Sequence, residues 1–197
     1  MRRLRLLIQI VLAALITISI GAGLLFYRAH RAMVAARQYV SDASGLQIGV
    51  SGTPEFLRIR EKYSHYAEID PNCNPAECVA KFKFDNGWPR NIYAVHSAVL
   101  YSELILSHGS ITSSVIGSTC WGGDGREYGA SLLELQRNPS GFFGPFREHH
   151  SLSSDKIAHL SFELTPAASP EQRARAYAFN ASFLGRLSAC NAATDMH

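Results

Sequence analysis

The sequence predicts an α+β protein: an N-terminal transmembrane helix, then one domain with an antiparallel sheet and helices on one face. Three observations carry that class. Leu6 to Tyr27 reads LLIQIVLAALITISIGAGLLFY, with no charged side chain. Val79 to Asp85 and Ile157 to Leu164 alternate apolar and polar residues, the period of a half-buried strand. Helix-start signals at Thr53-Pro54 and Ser169-Pro170 flank the strands. Helix, several antiparallel strands, then helix is an α+β order.

The apolar run is taken first. Its 22 residues, at about 1.5 Å of rise each, match the ~30 Å hydrocarbon layer of a bilayer. Gln9, Thr17 and Ser19 are its clear polar interruptions. Arg2, Arg3 and Arg5 precede it, and Arg28 and Arg31 follow. A cleaved signal has a shorter apolar core and a small-residue cleavage site. Here Gly21-Ala22-Gly23 is followed directly by Leu24, Leu25 and Phe26, so an uncleaved anchor is expected. Arginines on both sides leave the positive-inside rule nearly silent. The short leading tail and an even number of cysteines favour a cytoplasmic N-terminus and an oxidising compartment for the domain. The expected divisions are a tail at residues 1–5, the span at 6–27, a juxtamembrane stalk at 28–44 and the extracytoplasmic domain at 45–197. The arginines of the stalk would reach toward lipid head groups.

Charge excludes one class of partner. The formal net charge is +3, but the first 37 residues hold six arginines and no acid. The other 160 residues hold 13 basic and 16 acidic side chains, a balance of −3. The domain is mildly acidic and has no basic face for phosphate, so no nucleic acid is expected as a partner. Its size is that of one domain with one core.

The remaining elements follow in order. Gly45 to Pro54 hands over from stalk to domain. Thr53 to Tyr63 is a helix with Thr53 as cap and Pro54 in its first turn, and Phe56, Ile59, Lys62 and Tyr63 share a face. Cys73 to Cys78 is a Pro-bearing turn into the strand Val79–Asp85, where Ala80, Phe82 and Phe84 share a face. Asn86-Gly87 is a turn signal. Tyr101 to Ser107 and Ser110 to Gly117 form a hairpin around His108-Gly109. Tyr128 to Gln136 is a further strand, and Ile157 to Leu164 another. Ser169 caps a closing helix that runs to near Cys190, with Ala174, Tyr177, Ala178, Ala181, Leu184 and Ser188 at helical spacing.

Four cysteines allow three pairings. Cys73–Cys78 closing the turn, with Cys120–Cys190, is favoured. Cys73 and Cys78 as half of a zinc site would need two further ligands at matching spacing, and none stands out. Cys120 stands on a Gly-rich turn (Trp121-Gly122-Gly123-Asp124-Gly125), with His149, His150 and Asp155 downstream, which are the parts of a Cys–His–Asp hydrolase. Such a thiol requires a histidine within hydrogen-bond reach, and Cys120 follows a strand rather than opening a long helix. His149-His150 with His96, His108 or His159 is a candidate metal set, but neighbouring residues do not point the same way on a regular element. Gly122 to Gly125 lacks the lysine and the helix of a phosphate loop. Phe142, Phe143 and Phe146 lie in a Gly/Pro-rich loop, as a lipid- or partner-facing tip or as a cover for the sheet. Asn180-Ala181-Ser182 matches a glycosylation triplet, placed mid-helix by the helical spacing.

Two stretches carry a resemblance. Cys73-Asn-Pro-Ala-Glu-Cys78 followed by Phe82-Lys-Phe-Asp-Asn-Gly-Trp88, and Pro170-Glu-Gln-Arg-Ala-Arg-Ala-Tyr-Ala-Phe-Asn180 with Cys190, resemble a group of bacterial membrane-anchored or exported proteins with no assigned activity. The group often has a further cysteine in the last helix, where this chain has Phe183. Leu46-Gln-Ile-Gly49 leading to Pro54 is more distantly similar to small outer-membrane assembly lipoproteins. The resemblance implies an extracytoplasmic location and carries over no activity. The expected function is therefore a non-catalytic, envelope-associated binding module held to the lipid bilayer through Leu6 to Tyr27. Its partner would be a protein or envelope component, and no cofactor or metal is expected. The alternative is an extracytoplasmic cysteine hydrolase using Cys120 with His149 or His150.

Overall fold

The computed structural model describes residues 2–88, 97–121, 146–153 and 156–185. Helix α1 spans Arg2–Ser44, 43 residues without a break. Its two parts meet different surroundings. Up to Tyr27 nearly every side chain is exposed, including Leu6, Ile10, Leu15, Ile20 and Phe26. This part is long and apolar enough to cross a membrane. From Ala29 onward one stripe is buried: Ala29, Ala32, Ala36, Tyr39, Val40 and Ala43. Steps of three and four residues put these on one side of the helix, and the small alanines let its backbone approach the sheet. Arg28, Arg31 and Arg37 stay exposed. The segment expected as a stalk is thus the first core helix of the domain, and the packed unit extends back to residue 29. The stripe is faint in the sequence because alanine adds little hydrophobicity and arginines interrupt it.

The sheet has six strands. They are β1 (Ala67–Ile69), β2 (Cys78–Asp85), β3 (Ser97–Ser107), β4 (Ser110–Trp121), β5 (Phe146–Ser153) and β6 (Lys156–Leu164). Their order is β1-β2-β3-β4-β6-β5, with every neighbouring pair antiparallel. Alternation in β2 is as expected: Ala80, Phe82 and Phe84 are buried, Lys83 and Asp85 exposed. The β3–β4 hairpin turns at His108 and Gly109, whose φ values of 53° and 74° are both positive, as a two-residue primed turn requires. Leu160, Phe162 and Leu164 of β6 are buried. Two strands escape the sequence pattern. β1 has three residues, and β5 (FREHHSLS) is polar without alternation. His149 and His150 therefore lie on a strand rather than in a loop. The expected strand Tyr128–Gln136 falls outside the described residues.

The helices share one face of the sheet. Helix α2 spans Thr53–Lys62, but its cap is Gly52, not Thr53. The Glu55 carboxylate reaches back to accept from the Gly52 amide at 2.9 Å, and the Thr53 hydroxyl donates instead to the Pro75 carbonyl at 2.8 Å. Helix α3 spans Pro170–Ala176. Ser169 caps it as expected, in a reciprocal pair with Gln172 at 3.2 and 2.8 Å. The helix then stops, whereas continuous helix to Cys190 was expected. A 3₁₀ turn covers Ala181–Gly185. The Asn180 side chain accepts from the Ser182 amide at 3.1 Å, a local bond that competes with helix propagation. Tyr177, Phe179, Ala181, Phe183 and Leu184 are buried instead, while Ala174 and Ala178 are exposed.

The end of α2 and strands β2 and β3 meet at Tyr39 of α1. Its ring centroid lies 4.8 Å from Phe82, 5.2 Å from Phe84 and 5.2 Å from Tyr63. Its hydroxyl donates to Ser102 Oγ at 2.8 Å, and Ser102 donates to the Val115 carbonyl at 2.7 Å. A phenol is buried here because its polar end has a partner.

Candidate functional site

Both ends of the sheet are tied to helices, and the ties differ in chemistry. At one end, β2 runs out beside the last turn of the apolar part of α1. Asn86 is fully buried, and its Oδ1 accepts from the amides of Trp88 and Ala98, each at 3.2 Å. Asp85 Oδ1 accepts from the Gly87 amide at 2.6 Å. These bonds fix the turn, which carries Trp88 against α1. The Trp88 ring meets Phe26 edge-on, with centroids 5.0 Å apart. Arg28 lies over Gly87, and a Cβ there would sit 3.6 Å from the guanidinium carbon. Among the described residues, the Trp88 indole N–H is the one buried side-chain donor without a partner. Arg31 stacks over the Tyr27 ring at 5.9 Å. The sequence shows Asn86-Gly87 as a turn, but not that its neighbour meets the anchor sixty residues away.

At the other end, Cys73 and Cys78 are joined in a disulfide. The Gly109 amide donates to the Ala76 carbonyl at 3.0 Å, and the Thr53 amide donates to the Gly109 carbonyl at 3.2 Å. The hairpin tip, the disulfide loop and the start of α2 thus form one knot. A shallow groove beside it is lined by Phe56, Leu57, Arg60, Pro75, Leu106 and the disulfide. The bond also settles the fate of Cys73 and Cys78 as zinc ligands, since a disulfide offers no thiolate.

The catalytic constellation read from the sequence is spread over the sheet. Cys120 lies on β4, paired with Ala98 of β3. His149 and His150 lie on β5, paired with Ser161 and Leu160 of β6. Strand β6 runs between β4 and β5, so two strand spacings, about 10 Å, separate the backbones. Asp155 and Cys190 lie outside the described residues, as do His96, Phe142 and Phe143. His108 is in the turn between β3 and β4. Among the described residues no three His, Cys, Asp or Glu side chains gather as a metal set. Asn180 is exposed and non-helical, so the mid-helix objection to its glycosylation triplet does not hold.

Burial holds the Tyr39 hydroxyl well above the ordinary phenol range, and pushes Tyr177 up to about 12. Both phenols serve as neutral hydrogen-bonding groups, Tyr177 with Ser114 at 2.8 Å. Asp42 is the contrasting case. Partial burial acts to raise its carboxyl, but bonds from Lys62 and Tyr63, at 2.6 and 2.7 Å, outweigh it and leave the group below its ordinary value.

Fold and site together define a class: an α+β domain whose core helix is continuous with an apolar helix of membrane-crossing length. The chain matches no family model, no curated protein and no solved structure. The resemblance to exported bacterial proteins rests on its short motifs alone.

Proposed function

We propose that this is a single-pass membrane protein, anchored through Leu6–Tyr27 with its N-terminus in the cytoplasm. Its α+β domain stands in the periplasm or outside the cell, where it binds a protein or envelope component without catalysing a reaction. The observation that carries this reading is the unbroken passage of α1 from an exposed apolar run into the domain core. Exposed apolar surface of that extent is a heavy liability in water and an asset in lipid. The Cys73–Cys78 disulfide supports an oxidising compartment.

Extraction and thiol chemistry test it. The full chain is expected in the membrane fraction after alkaline carbonate washing. Treated with iodoacetamide near neutral pH without reductant, Cys120 is expected not to react selectively. Release by carbonate would remove the anchor. Selective alkylation of Cys120, accompanied by loss of a hydrolytic activity, would favour the cysteine hydrolase instead.

A further inference from the structure

The depth of Trp88 follows from the helix it touches. Phe26 is in the last turn of the apolar run, so a bilayer crossed by Leu6–Tyr27 has its hydrocarbon boundary at that level. The Trp88 ring rests on Phe26 at 5.0 Å. The turn that carries it is held on the sheet by Asn86 and Asp85. No spacer intervenes, because residue 29 already belongs to the core.

From this juxtaposition we propose that the Asn86–Trp88 end of the sheet lies in the head-group layer of the bilayer, its depth set by the packing of buried Trp88 on exposed Phe26. The inference rests on the reading of Leu6–Tyr27 as a membrane span. The chemistry around the turn is that of a membrane–water interface. Phe26, Tyr27 and Trp88 supply an aromatic collar, which is where such rings concentrate in membrane proteins. Exposed Arg28 and Arg31 follow within the next turn and a half, placed to meet anionic head groups. Among the described residues of this turn, the acid Asp85 is engaged by the Gly87 amide and by Lys83 at 3.7 Å. The consequence is a domain seated against the membrane surface. Its disulfide knot and hairpin tip form the opposite, outward-facing end, which a partner in solution meets first.

Tryptophan fluorescence tests the placement, since the chain has two tryptophans, Trp88 and Trp121. The full chain is reconstituted in phosphatidylcholine–phosphatidylglycerol vesicles whose acyl chains carry bromine either near the head group or near the methyl end. Bromine quenches over a few ångströms. Shallow bromines are expected to quench the wild-type chain more than deep ones. Trp121 pairs with Ser97 at the same end of the sheet, so the deciding chain is Trp121→Phe, with Trp88 as its sole fluorophore, which is expected to retain the shallow quenching. No shallow quenching in Trp121→Phe chains that float with the vesicles overturns the seating and leaves the anchor intact. Chains that fail to float overturn both.

Discussion

Tyr39 decides more of the fold than any other residue, because it is the point where α1 grips the sheet. Its ring closes against Phe82, Phe84 and Tyr63, and its hydroxyl joins a chain through Ser102 to the β4 backbone. Tyr39→Phe keeps the ring and loses one buried hydrogen bond, an expected cost of about 1 kcal/mol. Tyr39→Ala also opens a cavity, for an expected cost of about 3–5 kcal/mol. Urea unfolding of both variants checks the ordering, and equal effects would contradict it. Asp42 offers a second test, this time in pH. Its carboxyl is lowered in the folded state by Lys62 and Tyr63. The stability it adds is present above the unfolded carboxyl value of about 3.9 and is lost as pH falls through the lower folded value. The pair is partly exposed, with Lys62 half open to solvent, so Asp42→Asn is expected to cost only about 0.2–1 kcal/mol at pH 7. Unfolding midpoints of wild type and variant are expected to converge in acid and stay apart at neutral pH.

Elements were legible where pattern and structure share a period. The alternation in Val79–Asp85 and Ile157–Leu164, the His108-Gly109 turn and the Ser169 cap are local signals, and each element forms where its signal lies. What was illegible depends on distant partners. β1 exists because Ala67 to Ile69 pair with Phe82 to Ala80, and three residues carry no period. β5 is a strand by virtue of its pairing with β6, despite a polar sequence. The closing helix kept its helical spacing on paper, but Asn180 and the burial of Phe179 and Phe183 broke it. Cys120 and His149 were close in chemistry and two strands apart in space. The largest misreading was the stalk, and it yields a prediction. A fragment beginning at Arg28 retains the whole buried stripe and is expected to show a cooperative unfolding transition. One beginning at Gly45 leaves Phe82 and Phe84 uncovered and is expected to show none. The loss of a core helix exceeds the ~5–15 kcal/mol that keeps a domain folded. Near-UV circular dichroism of the two fragments decides it, and a folded Gly45 fragment would restore the stalk.

At the scale of the whole molecule, one helix serves two environments. Its apolar half is exposed almost throughout, and its alanine-striped half is buried in the domain. Under the proposed membrane anchoring, an unbroken helix of this kind would fix the domain's attitude to the bilayer. The direction of crossing is the central claim, because both the disulfide and the choice of partners depend on it. Reporter fusions after His197 measure it most directly, in one set of cells carrying alkaline phosphatase and another carrying green fluorescent protein. The account predicts an active phosphatase, which requires export, and a dark fluorescent protein. A bright fluorescent protein with an inactive phosphatase would place the domain in the cytoplasm and contradict it.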